Sequence, residues 1–549
     1  MMDDWYKDAI FYEVFVRAFC DSNGDGIGDL RGMTSRLDYL QWLGIDVIWL
    51  LPICPSPLRD DGYDVSDYFG VHPDYGTLDD VRTLVAEAHR RGLRVMVELV
   101  PNHTSDQNPW FQASRDPGHP DHARYRDWYV WSDTDQKYKD ARIIFVDYEP
   151  SNWTYDPLRG AYYWHRFFHH QPDLNYDNPE VQRAMLRAMQ FWSDVGVDGL
   201  RVDAPPYLYE REGTNCENLP ETHAYLKRLR AFVDAYAPGS VLLSEANQWP
   251  EDVLPYFGSG DEFHMNFHFP LMPRIFMALA KGSRAPIDHI LARTPELPSG
   301  CQWGTFLRCH DELTLEMVTP EERAFMWDFY APEPRMRLNL GIRRRLAPLL
   351  GNDRDRIEVA NAILLTFIGS PVLYYGDEIG MGDNIWLDDR DGVRTPMQWD
   401  SGPNAGFSDA PADRLYAPVI DDPVYGYQKV NVAAQKADAG SLLNRMRTLI
   451  HVRRRHPAFG RGALHLLTPE PESVLAYLRI TTEETLLVLA NLSQEPQRVT
   501  LDLPHYVGMT PVDLLTRTAL PEITASPYCV TLAGYEYRWL KLQGIVLSR

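Results

Sequence analysis

Cysteine is scarce in this chain, which has six among 549 residues and no CxxC spacing. Zinc sites and redox pairs commonly use that spacing, and disulfide frameworks need a higher density, so neither kind of site is predicted. Basic residues are also outnumbered, with 54 Lys and Arg against 77 Asp and Glu and a formal net charge of −23. Because nucleic-acid binding depends on clustered positive charge, we expect no nucleic-acid partner.

The sequence also has no apolar run that approaches the roughly 20 residues needed for a membrane-spanning helix. Its N-terminal stretch has acidic residues where a secretory signal carries positive charge, and Glu13 and Arg17 interrupt the apolar part. We therefore expect no membrane partner and a cytoplasmic location with reduced cysteines. Hydrophobic residues make up 44% and aromatic residues 12%, which is enough for large folded cores.

Short apolar runs, typical of buried strands, alternate with amphipathic helical patterns along most of the chain. Continuous apolar strands separated by helices indicate a parallel sheet covered on both faces. Eight such runs predict an α/β protein with a (β/α)8 TIM barrel, although the count depends on how weaker runs are treated. The runs are 10–16, 47–51, 93–100, 199–202, 241–244, 263–269, 304–309 and 371–375.

A helix is predicted between the second and third strands. Thr77 can cap its N-terminus, Asp80 completes a T-x-x-D capping box, and Gly92 ends it. Four apolar residues share one face of this helix: Val81, Leu84, Val85 and Ala88.

Two stretches break the alternation of strands and helices. Residues 103–172, after the third strand, are too long for a simple connection and predict a small inserted domain B. Alternating strands at 474–480, 485–491 and 535–541 predict a C-terminal antiparallel β-sandwich, domain C, over 461–549. The barrel, domain A, then comprises 1–102 and 173–460.

Charged residues collect where the predicted strands end, which is the edge at which barrel enzymes hold their active sites. The fourth strand runs GVDGLRVDA, and because residues two apart face the same way, Arg201 and Asp203 are expected to point into the barrel mouth. A neighbouring arginine keeps a carboxylate ionised, as a nucleophile requires. Taken alone, the pair fits a buried structural ion pair equally well.

Three more strand ends carry titratable or polar side chains. The fifth ends in LLSEA, which places Glu245 after an apolar run that can raise its pKa, as a proton donor requires. The seventh supplies His310 and Asp311, and the third supplies Asn102 and His103. A lone histidine is more often a hydrogen-bonding residue than a catalyst, but four such strand ends together indicate an active site.

These segments resemble the ordered motif set of the alpha-amylase family, glycoside hydrolase family 13. Two further stretches belong to the same resemblance: DDGYDVSDY at 60–68 and GSPVLYYGDEIG at 369–380. The resemblance spans the barrel and implies a retaining double displacement through a β-glucosyl-enzyme. It implies that Asp203 is the nucleophile, Glu245 the general acid/base and Asp311 a transition-state stabiliser.

The same resemblance implies a set of sugar-binding residues. Arg201, His103 and His310 would hold the glucose unit, with Tyr63 stacking beneath it. QPDLN at 171–175 resembles a branch of the family that acts on small α-glucosides through a closed pocket. In that branch Asp60 and Arg394 would bind the non-reducing end of the terminal glucose.

Three stretches resemble the members of that branch that interconvert maltose and trehalose: 206–223, 312–319 and 337–349. The implied reaction is a reversible intramolecular transfer with minor hydrolysis to glucose, and its small-molecule partners are those two disaccharides. An extra segment at about 312–354 is interpreted as a lid over the pocket. By composition alone, residues 343–345 read as a solvated helix face. Self-association is left open.

Two alternative functions stay open at this point. A retaining α-glucosidase, oligo-1,6-glucosidase or sucrose-active hydrolase would share every catalytic residue and differ in pocket closure. A non-enzymatic barrel ectodomain is a different class, but such relatives have a membrane segment and degraded carboxylates, whereas the carboxylates of this chain are intact.

Metal sites are predicted separately, and no organic cofactor is expected. The loop DSNGDGIGD offers Asp21, Asn23, Asp25, Asp29 and the Ile27 carbonyl, which suits calcium, with magnesium as the alternative ion and a polar glycine turn as the alternative structure. The resemblance implies a second calcium site formed by the following residues: Asn102, Asp173, Glu210 and the carbonyls of Tyr207 and Leu208.

Two positions depart from the family pattern. Glu98 stands where the third-strand motif normally has Asp, and Cys309 stands where Asn is common. Glu98 shares a strand face with Asn102, so the longer carboxylate is expected to shift a supporting hydrogen bond.

Overall fold

The computed structural model describes residues 4–524 and 526–544. Eight parallel strands close into a barrel in the order first, eighth, seventh, sixth, fifth, fourth, third, second. These strands are, in chain order, Phe11–Val14, Val47–Leu50, Arg94–Leu99, Gly199–Val202, Val241–Ser244, Met265–Phe267, Gln302–Phe306 and Ser370–Tyr374. The predicted (β/α)8 barrel is confirmed, and the fourth and fifth strands have the predicted bounds.

The seventh strand differs most from its prediction. It ends at Phe306, whereas the apolar pattern extended to residue 309. The side chain of Arg308 donates to the backbone carbonyls of Arg344 and Asp311, both at 2.5 Å. These contacts hold the chain in a loop, so His310 and Asp311 lie on a turn above the strand and not on the strand itself.

Helices cover the outside of the barrel. The larger ones are Leu30–Ser35, Leu37–Leu43, Leu78–Arg90, Pro179–Val195, Pro220–Tyr236, Leu271–Lys281, Ala285–Ala292, Arg354–Leu364 and Leu442–Arg455. In Leu78–Arg90 the predicted capping box between Thr77 and Asp80 is present, and the four predicted apolar residues are buried. Gly92 follows the helix with φ +74°, a left-handed conformation that glycine adopts at little cost.

The inserted residues 103–172 form a small aromatic-rich unit. Its antiparallel sheet has Ala161–Trp164 between Trp131–Ser132 and Trp153–Asp156, and its helices are Pro109–Arg115 and His122–Tyr125. A bridge between His103 and Asp173 joins the two ends of the insertion. Both ends are thereby held at the carboxyl end of the third barrel strand.

The extra segment 312–354 has its own secondary structure. Strands Leu313–Thr314, Gly341–Ile342 and Arg337–Leu338 form a small sheet beside helix Pro320–Tyr330. The interpretation of residues 343–345 as a solvated helix face is wrong, because they precede helix Leu346–Leu349 and Arg345 is fully buried. Arg345 donates to the Tyr375 carbonyl at 2.7 Å, which ties the segment to the barrel.

The C-terminal region is an antiparallel β-domain, as predicted. A five-stranded sheet has the order Ala463–Leu467, Val474–Ile480, Thr485–Asn491, Tyr537–Gln543, Thr510–Asp513. A two-stranded sheet, Gln497–Leu501 with Tyr528–Leu532, packs against it around a separate apolar core. Within the described part of the chain, no helix is both long and apolar enough to cross a membrane.

Candidate active site

A pocket lies at the carboxyl ends of the barrel strands, where the sequence predicted it. Seven of the nine predicted catalytic and sugar-binding residues line it: Asp60, Tyr63, His103, Asp203, Glu245, His310 and Asp311. The other two, Arg201 and Arg394, lie behind its wall and contact the lining carboxylates. The structure therefore brings the predicted residues together around one cavity.

Arg201 connects three carboxyl groups beneath the pocket. Its Nη1 atom donates to Asp203 Oδ1 at 2.6 Å and to Glu98 Oε2 at 3.1 Å. Its Nη2 atom lies 2.5 Å from Glu245 Oε1. The side chain is 2% exposed, so these charge-assisted contacts form in a desolvated environment. The arginine that the sequence paired with Asp203 thus fixes Glu245 as well.

Burial dominates the protonation of the two predicted catalytic carboxyls. It raises the pKa of Asp203 to about 6, although the positive charge of Arg201 opposes the shift. A carboxyl group with this pKa is mainly ionised at pH 7, so the expectation that Arg201 keeps Asp203 ionised is not contradicted. Burial also raises the pKa of Glu245 well above its ordinary value, and the charges of Asp203 and Asp311 add to the shift. Burial and these neighbouring charges therefore favour the protonated form of Glu245.

Asp311 is held by two arginines, one of which the sequence reasoning missed. Arg390 Nη1 donates to Asp311 Oδ1 at 2.7 Å, and Arg394 Nη2 donates to the same oxygen at 3.1 Å. Burial alone would raise the pKa of Asp311, but His310, Arg390 and Arg394 lower it well below the usual range. Asp311 is therefore ionised.

Asp60 also contacts Arg390, whereas the predicted sugar-binding residue Arg394 contacts Asp61. Arg390 Nη2 donates to Asp60 Oδ1 at 2.6 Å, whereas Arg394 Nη1 donates to Asp61 Oδ2 at 2.6 Å. Arg390 lines the pocket. Its only signal in the sequence is the local density of Asp and Arg around Arg394, which does not indicate which arginine faces inward.

The two predicted histidines differ in what they contact. Burial lowers the pKa of His103 to about 3, and its Nε2 atom has no hydrogen-bond partner within the described residues. Burial thus favours the neutral form of His103, which lines the pocket. The Tyr63 ring stacks on the His310 ring at 5.3 Å, and the Tyr63 hydroxyl lies 2.8 Å from His310 Nε2.

Glu98 and Cys309, the two departures from the family pattern, are both buried. Trp49 Nε1 donates to Glu98 Oε1 at 2.9 Å, and the Tyr63 hydroxyl donates to it at 3.1 Å. The longer carboxylate therefore supports Arg201 and Tyr63 from the third strand.

Domain B and the segment 312–354 meet over the pocket. Arg142 of domain B donates to Glu316 Oε2 at 2.8 Å and to Glu217 Oε1 at 2.9 Å. Asn247, which follows the fifth strand, donates to the same Glu316 oxygen at 3.0 Å. Nearer the surface, the Asn339 backbone N–H donates to Asp147 Oδ2 at 2.7 Å. We call these Arg142–Glu316 and Asp147–Asn339 contacts the clasp.

The predicted loop site at 21–29 is folded by its own side chains. Asp21 accepts from the backbone of Asn23, Gly24 and Gly26 at 2.8–2.9 Å. Asp29 accepts from Gly32 N at 2.7 Å and caps helix Leu30–Ser35, a role that the sequence reasoning did not foresee. Across residues 4–524 and 526–544, no three His, Cys, Asp or Glu side chains converge as a metal site.

The second predicted metal site contains buried oxygens without partners. Asn102 Oδ1, Asp173 Oδ2 and Glu210 Oε1 have no hydrogen-bond partner among the described residues. Burial raises the pKa of Asp173 to about 8, and burial together with the Asp173 charge raises that of Glu210. An unpaired buried carboxylate is costly, and a cation would remove that cost. Two carboxylates with amide and carbonyl oxygens are hard ligands of the kind that calcium prefers.

Comparison with known families gives two matches. The model described as "Alpha amylase, catalytic domain" matches residues 13–321 and 343–462. The model described as "Maltogenic Amylase, C-terminal domain" matches residues 464–539. The gap between the two parts of the first match lies inside the segment 312–354.

Individual relatives are similar over nearly the whole chain. "Trehalose synthase/amylase TreS" of Mycobacterium tuberculosis is 60% identical, covering 98% of this chain and 90% of the relative. "Trehalose synthase" of Pimelobacter sp. is 58% identical, covering 98% and 96%. The crystal structure of the trehalulose synthase MutB from Pseudomonas mesoacidophila has a TM-score of 0.77 at 30% identity, covering 98% of this chain and 99% of that one.

Proposed function

Because the chain belongs to the alpha-amylase family, we propose that it is an isomerase that interconverts maltose and trehalose by moving a glucosyl group within one bound disaccharide. The observation that carries the proposal is the 58–60% identity, over 98% of the chain, to relatives named trehalose synthase. The pocket supports it, because carboxyl groups suited to glucosyl transfer lie beneath contacts that can retain a released sugar.

In the first step Asp203 attacks the anomeric carbon of the glucosyl unit. The C1–O bond of maltose breaks as the bond from C1 to Asp203 forms, and Glu245 gives its proton to the departing O4 oxygen. The raised pKa of Glu245 supports this role, since the group must be protonated to act as the acid. Arg201 binds both carboxyl groups and so supports their orientation.

In the second step the released glucose turns and attacks through its own anomeric hydroxyl. Glu245, now a carboxylate, takes the proton of that hydroxyl, and the bond between C1 and Asp203 breaks to give trehalose. The ionised Asp311 stabilises the positive charge that develops at the sugar ring. His103 and His310 hold the glucosyl unit, while Asp60, with Arg390 and Arg394, binds its far end.

Incubation with maltose tests this function directly. Trehalose and glucose are resolved by chromatography, and we expect trehalose as the main product with a minor amount of glucose. Incubation with trehalose should return maltose. Glucose as the sole product would contradict the isomerase proposal and identify a retaining α-glucosidase instead.

The clasp is proposed to keep the released glucose inside the pocket while it turns. A water-free, closed site limits hydrolysis of the covalent intermediate. Arg142 pairs with Glu316 and Glu217 across the mouth. Opening the pocket requires these partly buried ion pairs to separate, which retards both escape of glucose and access of water.

Replacing Arg142 by Gln is expected to raise the ratio of glucose to trehalose by about three- to tenfold, because the clasp opens more often. Total consumption of maltose should fall less than tenfold, since Arg142 does not line the pocket. The matched control is Arg124→Gln, an exposed arginine of domain B. An unchanged ratio in Arg142→Gln would count against the clasp as a barrier to escape.

We also propose a calcium ion at Asn102, Asp173, Glu210 and the carbonyls of Tyr207 and Leu208. The unpartnered oxygens of the three side chains support this set. An ion there would join the loops that follow the third and fourth strands. A second calcium or magnesium ion is proposed in the loop formed by Asp21, Asn23, Asp25, Ile27 and Asp29.

Chelation is expected to lower the melting temperature by about 3–6 °C, because a bound ion stabilises only the folded state. Added calcium should restore it. Asp173→Asn should have a lower melting temperature in calcium and a smaller response to chelator, whereas the exposed Asp177→Asn should respond like the parent. If the chelator left the melting temperature unchanged, the result would contradict the proposal of both ions.

A cytoplasmic location is part of the proposal. All six cysteines are free thiols, the form that a reducing compartment maintains. Cell fractionation with an antibody against the chain tests this location.

A further inference from the structure

Glu13 has no role in the steps above, yet it contacts the pocket histidine directly. It lies on the first barrel strand, and its Oε1 atom contacts His310 Nδ1. The backbone N–H of His310 donates to the same oxygen at 3.2 Å. The residue is fully buried, and its other oxygen, Oε2, has no partner among the described residues. Among the described residues, the side-chain hydrogen-bond contacts of Glu13 are thus with His310.

The opposite ring nitrogen of His310 reveals where one proton lies. Nε2 is 3.1 Å from Asp311 Oδ2 and 2.8 Å from the Tyr63 hydroxyl. An ionised carboxylate can only accept hydrogen bonds. Asp311 is ionised because Arg390 and Arg394 both bind its Oδ1 atom. Nε2 must therefore carry a hydrogen, since an unprotonated nitrogen would face Asp311 as a second acceptor.

A second proton then lies between Glu13 and His310. With Nε2 protonated, Nδ1 of a neutral imidazole is an acceptor, and an ionised Glu13 would present another acceptor to it. The contact is favourable only with one proton between Oε1 and Nδ1. A carboxylic acid with a neutral imidazole and a carboxylate with an imidazolium contain the same number of protons, so this count does not depend on which atom holds it.

We propose that Glu13 is a positioning residue that shares this proton with His310 and thereby keeps His310 Nε2–H as a donor to Asp311 and the bound sugar. This inference rests on the proposed function for its kinetic consequence but not for the proton count. A carboxylate that orients a histidine from behind is a common way to fix one tautomer. Without Glu13, the imidazole is free to place its hydrogen on Nδ1 and lose the donor that faces the pocket.

The charges around the pair are compatible with a shared proton. Burial raises the pKa of Glu13 well above its ordinary value, and burial lowers that of His310, so both shifts favour the neutral pair. Charged and titratable groups face the pair from the surrounding strands and loops: Tyr63, Glu98, Arg201, Cys309, Asp311, Tyr374, Arg390 and Arg394. In the described structure Glu13 is the group that meets Nδ1.

Two substitutions distinguish the effect of losing the proton next to Nδ1 from the effect of changing the volume of the side chain. In Glu13→Gln the amide can still offer an N–H to Nδ1, so the Nε2–H tautomer survives, while the His310 backbone N–H, which shares the Oε1 position, loses its acceptor. Glu13→Met fills similar space without a donor. We expect Glu13→Gln to lose less than about tenfold in kcat/KM for maltose and Glu13→Met to lose at least about a hundredfold, mainly in kcat. Equal losses in the two variants would overturn the proposal.

The tautomer is measured independently of turnover. Nitrogen-15 NMR of histidine-labelled parent protein, with the His310 signals assigned by their loss in His310→Asn, reports which ring nitrogen carries hydrogen. We expect a protonated Nε2 in the parent and in Glu13→Gln near neutral pH. An unprotonated Nε2 in the parent would overturn the proposal, even if Glu13→Met failed to fold. Because this measurement needs no reaction, it separates failure of the tautomer from failure of the isomerase proposal.

Discussion

Replacement of Asp203 by Ala is expected to lower kcat for maltose by about ten-thousand-fold or more, because no other described carboxylate can form the covalent intermediate from that position. Formation of trehalose and of glucose should fall together, since both products arise from the same glucosyl-enzyme. The matched control, Asp194→Ala on the exposed face of helix Pro179–Val195, should behave like the parent.

Azide provides a test of the role of Asp203. With α-glucosyl fluoride as substrate, azide can enter the space left in Asp203→Ala and attack C1 as fluoride departs, which gives β-glucosyl azide. If Asp203 were not the nucleophile, the variant would retain turnover of maltose or give the α-anomer. Either result would contradict the assignment of Asp203 as the nucleophile.

Replacement of Glu245 by Gln is expected to lower kcat for maltose by about a thousandfold, because the leaving sugar no longer receives a proton. The rate of the first step should fall much less with α-glucosyl fluoride, because its leaving group needs no proton. The two substrates should therefore diverge in Glu245→Gln and not in the exposed control Glu251→Gln.

The pH dependence of kcat/KM also tests the role of Glu245 as the acid. The pKa of Glu245 is raised well above its ordinary value, and the acid acts only when protonated. For the parent, kcat/KM should fall as pH rises through that raised pKa, and Glu245→Gln should lose this alkaline decline. Equal losses on both substrates, with the alkaline decline retained, would assign the acid to another group.

Local patterns in the sequence predicted the fold well. The capping box between Thr77 and Asp80 spans three residues, so the start of helix Leu78–Arg90 follows from neighbouring positions alone. The barrel strands follow from apolar runs of similar length. Strand order was also accessible, because parallel strands joined by helices have few ways to pair. The pocket followed from the strand ends, where the carboxylates and histidines lie.

The partners of those residues could not be predicted in the same way. Asp60 and Arg390 are 330 positions apart, and Glu13 and His310 are 297 apart. Two arginines stand close together near residue 390, and only the three-dimensional path of the loop decides which one enters the pocket. The shift in the Asp203 pKa also depends on total burial, which no local pattern reports.

The clasp joins two insertions into the barrel, neither of which supplies Asp203 or Glu245. If the clasp retains the released sugar as proposed, substitutions in it change the retention time without altering the steps that break and form bonds. Selection on the product mixture therefore acts on different positions from selection on the rate. On that proposal, changes in these insertions can shift the balance between isomerisation and hydrolysis while the catalytic carboxyls stay as they are.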